Sequence, residues 1–237
     1  VVLALGGASW PDTGSDGKWP ALLAPLGLKF SSWVPANCGW EVAWSAGLLA
    51  RAEGLPLKNL SVSASGESVS GELLITRYGL EGGAIYRLGP RLRLMEIPAL
   101  TIDLKPQLSA EAQEARLAVA PREAEWLRVL KLSPAATALL ESFFPEDLAD
   151  AASLVRRVKD FPLRLTGPRP IAEAISSAGG IPWSEVDDNL MSRRCPGLFV
   201  AGEMIDWEAP TGGYLMQGCF STGTRAGRAA AEFASSL

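Results

Sequence analysis

Gly197-Leu198-Phe199-Val200-Ala201-Gly202-Glu203, with Asp206 close behind and Thr211-Gly212-Gly213-Tyr214 after it, decides how this 237-residue chain is read. An apolar run that stops at a glycine and an acid is a strand delivering a carboxylate to the carboxyl edge of a sheet, where α/β folds bind ligands. A carboxylate there accepts hydrogen bonds from hydroxyls such as those of a ribose. Gly212-Gly213 then opens a helix of small residues, predicted to about Ala234. Backbone amides at such a start approach an anionic group with no side chain in the way. Taken singly, a strand ending in Gly-Glu is an ordinary strand end and Gly-Gly an ordinary turn. Their combination at this spacing points to a cofactor.

Working outward, the two ends of the chain share this character and the middle does not. Val1 to Leu5 is an apolar run stopped by Gly6-Gly7, which predicts a short buried strand. A loop of turn-formers from Ala8 to Gly17 follows, then a short helix near Trp19 to Leu26 closed by Gly27. From Leu28 to about Leu104 alternating runs predict strands, with Ser65-Gly66 as a hairpin turn. Helical spacing takes over from Ser109 to Val119, Arg122 to Leu132, Ser133 to Phe143 and Leu148 to Lys159. After Pro162, strands are predicted near Leu163–Thr166 and Ala174–Ser177, the latter ending in Gly179-Gly180. The organisation expected is therefore residues 1–30 with 163–237 as one α/β domain, 31–104 as an inserted β-rich domain, and 105–162 as a helical insert.

Composition excludes several classes. Lys and Arg number 22 against 26 Asp and Glu, a net charge of −4, and the basic residues are scattered, so no nucleic-acid partner is expected. No apolar run approaches the roughly 20 residues that span a bilayer, and Val1 to Leu5 lacks the flank of a signal peptide, so a cytoplasmic protein without membrane contact is expected. Histidine is absent, which removes the Ser-His-Asp triad and most catalytic zinc sites, and no metal is expected. Cys38, Cys195 and Cys219 are too few and too far apart for a disulfide framework. Cys38, in a Pro/Asn/Gly loop, is the one to test for reactivity, and Cys219 reads as a small buried apolar residue. The crowded Trp10, Trp19, Trp33, Trp40 and Trp44 read as core packing rather than a wall around a planar ligand.

Three motifs in order resemble the YhiN/BaiN-like NAD(P)/FAD-dependent oxidoreductases, a bacterial group that includes aminoacetone-oxidase-like flavoproteins. Leu5-Gly6-Gly7 with Ser9, Pro11, Gly14-Ser15 and Gly17 is similar to the family's Thr-Gly-Gly strand end and its Ser/Pro/Gly loop. The run from Gly71 to Gly82, Gly-Glu-Leu-Leu-Ile-Thr-Arg-Tyr-Gly-Leu-Glu-Gly, resembles a second signature. Ala201-Gly202-Glu203, Asp206 and Thr211-Gly212-Gly213-Tyr214 resemble the terminal one. The resemblance implies an α/β plus α+β fold, with a split FAD/NAD(P)-binding Rossmann-like domain interrupted by a β-rich domain that carries a small helical subdomain. It implies FAD as cofactor, held near Gly6, Gly7, Gly202, Glu203, Asp206, Thr211, Gly212, Gly213 and Tyr214, with Glu203 on the ribityl chain. NADPH or NADH is implied as reductant and a small organic molecule as substrate. The family's Gly-x-Gly-x-x-Gly turn has no match in these residues and is expected upstream of Val1.

Arg77, Tyr78 and Tyr214 are the catalytic candidates: Arg77 to pair with a substrate carboxylate, Tyr78 to donate a proton, Tyr214 to sit beside the flavin. Leu5 and Leu215 replace the family's Thr and Asn, and Arg77 stands where many members carry a polar or imidazole group, so the family's substrates do not transfer. Two other readings stand beside the enzyme: a flavin-binding scaffold without turnover, and an RNA-modifying flavoprotein, which the acidic balance disfavours.

Overall fold

In the computed structural model, which describes residues 1–120 and 125–236, the chain folds as two units, Val1–Cys38 with Arg169–Leu237, and Gly39–Pro168. The first unit opens with β1 (Val2–Leu3), α1 (Pro20–Leu23) and β2 (Ser31–Ala36). α1 continues into a 3-10 turn that Gly27 ends in the left-handed region (φ 78°), as the sequence predicts. Trp19 is buried edge-on against both Phe30 and Trp33, each ring 5.6 Å away. The expectation that Val1 to Leu5 forms a buried strand is corrected: Val1, Val2 and Leu5 are exposed. β1 is two residues long and has a single strand neighbour among the described residues, so a continuous apolar run gains little cover there.

The second unit is built on an antiparallel sheet with β3 (Trp40–Glu41), β4 (Pro56–Ala64), β5 (Glu67–Thr76), β6 (Gly79–Glu81), β7 (Ala99–Asp103), β8 (Phe161–Arg164) and β9 (Gly167–Pro168). Their spatial order is β8-β7-β4-β5-β6-β3-β9. β4 and β5 form the predicted hairpin. Ser65 and Gly66 both take positive φ at its turn, 48° and 81°, the twist that a two-residue hairpin loop needs. Leu60, Val62 and Ala64 point alternately into the core.

Among its helices are α2 (Ala46–Ala52), α3 (Gly83–Leu92), α4 (Ala110–Ala118), α5 (Trp126–Val129), α6 (Pro134–Phe143) and α7 (Ala151–Lys159). Ser45, Ser109, Ser133 and Asp150 cap α2, α4, α6 and α7 through side-chain oxygens that accept from backbone N–H groups. Such a cap contributes about 1 kcal/mol. α2 and α3 lie where strands were expected to dominate. α2 is seven residues long, and Gly83, Gly89 and Pro90 disguise the helical spacing of Ala84, Ile85, Leu88 and Leu92, all buried. The helix expected over 122–132 is seen from Trp126; residues 121–124 lie outside the described residues.

The expected domain boundaries differ from those observed. Leu117, Leu139, Leu154 and Phe161 belong to the same buried cluster as Val62 and Ile102, so the helical stretch and the sheet share one core. Helices of four to ten residues cannot bury a core of their own. Ser31–Ala36 pairs with a strand of the first unit, and Phe161–Arg164 pairs with β7, which moves the boundaries to 38/39 and 168/169.

Returning to the first unit, the chain forms β10 (Ser176–Gly180), antiparallel to β2, then β11 (Phe199–Val200), parallel to β1, and finally α8 (Tyr214–Ser235). Parallel strands followed by a helix make this the α/β part; the antiparallel sheet with its helices is the α+β part. No helix among the described residues is long and apolar enough to cross a membrane.

Candidate cofactor site

β11 delivers Glu203 as the opening motif predicts. Beyond Val200 the chain turns through Gly202–Met204, and Glu203 Oε1 accepts from Ser177 N–H at 2.9 Å and from Ser177 Oγ at 3.2 Å. Two residues along β10, Gly179 N–H donates to Asp206 Oδ1 at 3.0 Å, and two further on Ile181 N–H donates to the Met204 carbonyl at 2.7 Å. Alternate amides of a strand point to the same edge. The edge of β10 away from β2 is thus bonded along its length by residues 203–206. Glu203 Oε2 and Asp206 Oδ2 have no protein partner among the described residues.

The glycine loop after β1 closes on the same place. Gly7 approaches so tightly that a Cβ there would lie 2.2 Å from Ser177 Oγ and 2.6 Å from Glu203 Cδ, so only glycine fits. Ala8 N–H donates to Ser177 Oγ at 2.9 Å. Ser15 Oγ donates to the Gly7 carbonyl and Trp19 Nε1 to the Gly6 carbonyl, the latter at 2.9 Å. Trp33 Nε1 holds the far end of the loop through the Gly17 carbonyl at 2.9 Å. Two of the crowded tryptophans therefore fix the loop through their indole N–H groups, besides packing.

α8 meets this junction along its second and third turns. Gly202 N–H donates to Thr222 Oγ1 at 2.9 Å, and Thr222 donates on to the Gly218 carbonyl at 2.8 Å. Cys219 flanks Gly202, and burial together with the Glu203 charge pushes its thiol above the ordinary range. The expectation of a buried apolar Cys219 is therefore revised to a half-buried thiol beside a carboxylate. Gly213 caps the start of the helix at a φ of 88°, open to glycine, and Thr211, Gly212, Gly213 and Tyr214 are all exposed.

Of the residues singled out in the sequence, Gly7, Glu203 and Asp206 gather around β10, Gly6 lies in the loop beside them, and Gly202 joins them to α8. Thr211 to Tyr214 form the open start of that helix. Arg77 and Tyr78 belong to the other unit, in the turn between β5 and β6. Tyr78 donates its hydroxyl proton to Glu81 Oε1 while Tyr86 donates to Glu81 Oε2 at 2.8 Å. Burial and the Glu81 carboxylate raise the Tyr86 hydroxyl far above the ordinary phenol range. The Tyr78 hydroxyl is thus already bonded to a carboxylate of its own turn. Cys38, the cysteine singled out for a reactivity test, is buried, which argues against reactivity.

Sequence reasoning missed Ser177 and Asn37. Asn37, buried at φ 50°, donates from Nδ2 to Ser176 Oγ and to the Ala209 carbonyl, both at 2.8 Å, and so ties β10 to the loop before α8. Ser176-Ser177 ahead of Gly179-Gly180 was the available signal: small polar residues in an otherwise buried strand need partners.

The family model described as HI0933-like protein Rossmann domain matches residues 1–229. A 3-dehydro-bile acid delta(4,6)-reductase of Clostridium scindens is 30% identical over 261 aligned positions that cover 98% of this chain. The chain spans 62% of the length of that relative.

Proposed function

Since the chain belongs to the HI0933-like Rossmann-domain family, the flavoprotein oxidoreductases its motifs resemble, we propose that it serves an FAD-dependent oxidoreductase that reduces a small organic acceptor with hydride from NADPH or NADH. One observation supports this most. Glu203 stands just beyond β11 with one oxygen fixed by Ser177 and the other without a protein partner among the described residues, next to Gly7, where a Cβ would lie 2.6 Å from Glu203 Cδ.

The residues present suit such a cofactor. Glu203 Oε2 can accept from a ribityl hydroxyl, and an acceptor-only group selects a ligand that donates there. The first-turn N–H groups of α8, which have no partner within the helix, suit an anionic part of the molecule, and Gly212 and Gly213 leave their approach clear. Thr211 and Tyr214, both exposed, flank that start. When bound, FAD would supply the two-electron chemistry of the reaction.

The similarity to a 3-dehydro-bile acid delta(4,6)-reductase supports reduction of an organic acceptor as the direction. Arg77, exposed in the second unit, is the candidate for an anionic substrate group. The net charge of −4 favours a small molecule over RNA, and a bacterial cytoplasm suits this chemistry.

The visible spectrum of the full-length protein tests the reading. Flavin bands that appear on adding FAD, and bleach with NADPH or NADH faster than free FAD does, are the expected result. A protein that gains no flavin bands overturns it, and one that gains bands but bleaches no faster than free FAD is a scaffold rather than an enzyme.

A further inference from the structure

We infer that Ser177 is the positioning residue of this site: it fixes the Glu203 carboxylate so that only Oε2 is presented to the cofactor, an inference that rests on the flavin reading above. The direction of the hydrogen bonds carries it. Ser177 Oγ accepts from Ala8 N–H at 2.9 Å, which leaves the single hydroxyl proton to be donated to Glu203 Oε1 at 3.2 Å. The same oxygen takes Ser177 N–H at 2.9 Å. One residue therefore places two donors on one carboxylate oxygen, and the opposite oxygen keeps its full capacity to accept.

The arrangement is closed to alternatives. Ser177 is 2% exposed, and the Gly7 backbone fills the space beside it so fully that a Cβ would stand 2.2 Å from the hydroxyl. The hydroxyl is also where three separated stretches meet: the loop after β1 through Ala8, β10 itself, and the turn after β11 through Glu203. A glutamate held in one rotamer before a ligand arrives has less freedom to lose on binding. Without the hydroxyl, Glu203 would keep one donor, and the Ala8 N–H would be buried without a partner.

A double-mutant cycle on the full-length protein separates positioning from simple support, with FAD affinity read by quenching of flavin fluorescence and the fold followed by the melting temperature of the apoprotein. Ser177→Ala is expected to weaken FAD binding about tenfold, the scale of a lost hydrogen bond to a charged group. It should have no further effect when Glu203→Ala is already present. Ser177→Thr, which keeps the oxygen, should restore most of the affinity. Should Ser177→Ala fail to fold, Ser177→Cys, close in size but a poor donor, takes its place in the same cycle. An equal loss of affinity in both backgrounds makes Ser177 a strut and overturns the inference, as does a Ser177→Ala protein that binds FAD like the wild type. A wild-type protein that takes up no flavin overturns the flavin reading and this inference together.

Discussion

Within residues 39–168, a seven-stranded sheet and its helices share one buried cluster, in which Phe161 lies edge-on to both Phe143 and Phe144 at 5.7 and 5.4 Å. In the unit formed by 1–38 and 169–237 the apolar cluster is smaller, Val2 of β1 and much of α8 are exposed, and polar groups make the connections: Ser177 to Glu203, Asp206 to Gly179, Asn37 to Ala209, Thr222 to Gly202. The difference is one of precision. Apolar packing is non-directional and tolerates repacking, whereas hydrogen bonds fix atoms to within fractions of an ångström. The unit that holds Glu203 relies on the second kind.

Substitutions that strike one unit and spare the other would sharpen this contrast. The largest effect is expected from Phe161→Ala, which removes a fully buried ring from the aromatic cluster and should cost about 3–5 kcal/mol of stability. Hydrogen exchange by mass spectrometry should rise across β4 to β8 and leave β10 unchanged. Equal loss of protection in both units would break the contrast.

Gly7→Ala comes next. The added methyl must displace Ser177 or Glu203, at about 1–3 kcal/mol, so FAD affinity in the full-length protein should fall roughly ten- to hundredfold while protection in 39–168 persists. Flavin titration checks this. Asn37→Ala removes two hydrogen bonds and puts a side chain that prefers negative φ at 50°, so a loss of about 2 kcal/mol is expected by urea unfolding. Asn37→Gly, which relieves the backbone but not the hydrogen bonds, should recover only part of it.

The smallest effect concerns Cys219. A neighbouring anion disfavours the thiolate, so replacing the Glu203 charge should bring the thiol down toward its ordinary range and raise the thiolate fraction at pH 8. Glu203→Gln is therefore expected to speed alkylation of Cys219 by iodoacetamide about two- to threefold, measured by peptide mass spectrometry. An unchanged rate would mean that burial alone sets the thiol.

Much of this was legible in the sequence, for reasons specific to each element. The Ser65-Gly66 hairpin, the Ser109 and Ser133 caps and the helix after Gly213 are local features whose residues carry their own conformational preference. Glu203 was found because an acid after an apolar run marks a strand end. What escaped was non-local. α3 hides its apolar spacing behind Gly89 and Pro90, and Ser31–Ala36 finds its partner about 140 residues away in Ser176–Gly180. Ser177 and Asn37 are ordinary polar residues in the sequence. Their importance comes from groups that only folding brings within 3 Å, such as Ala8 N–H and the Ala209 carbonyl.

The acid pair that follows β11 has one more consequence. Strand edges with bare outer amides invite pairing with foreign chains and seed aggregation. Ser177, Gly179 and Ile181 would be such a ladder, yet a single downstream stretch, through two side chains and one carbonyl, occupies every rung. The motif that suits a ligand thereby also guards the protein against unwanted strand addition.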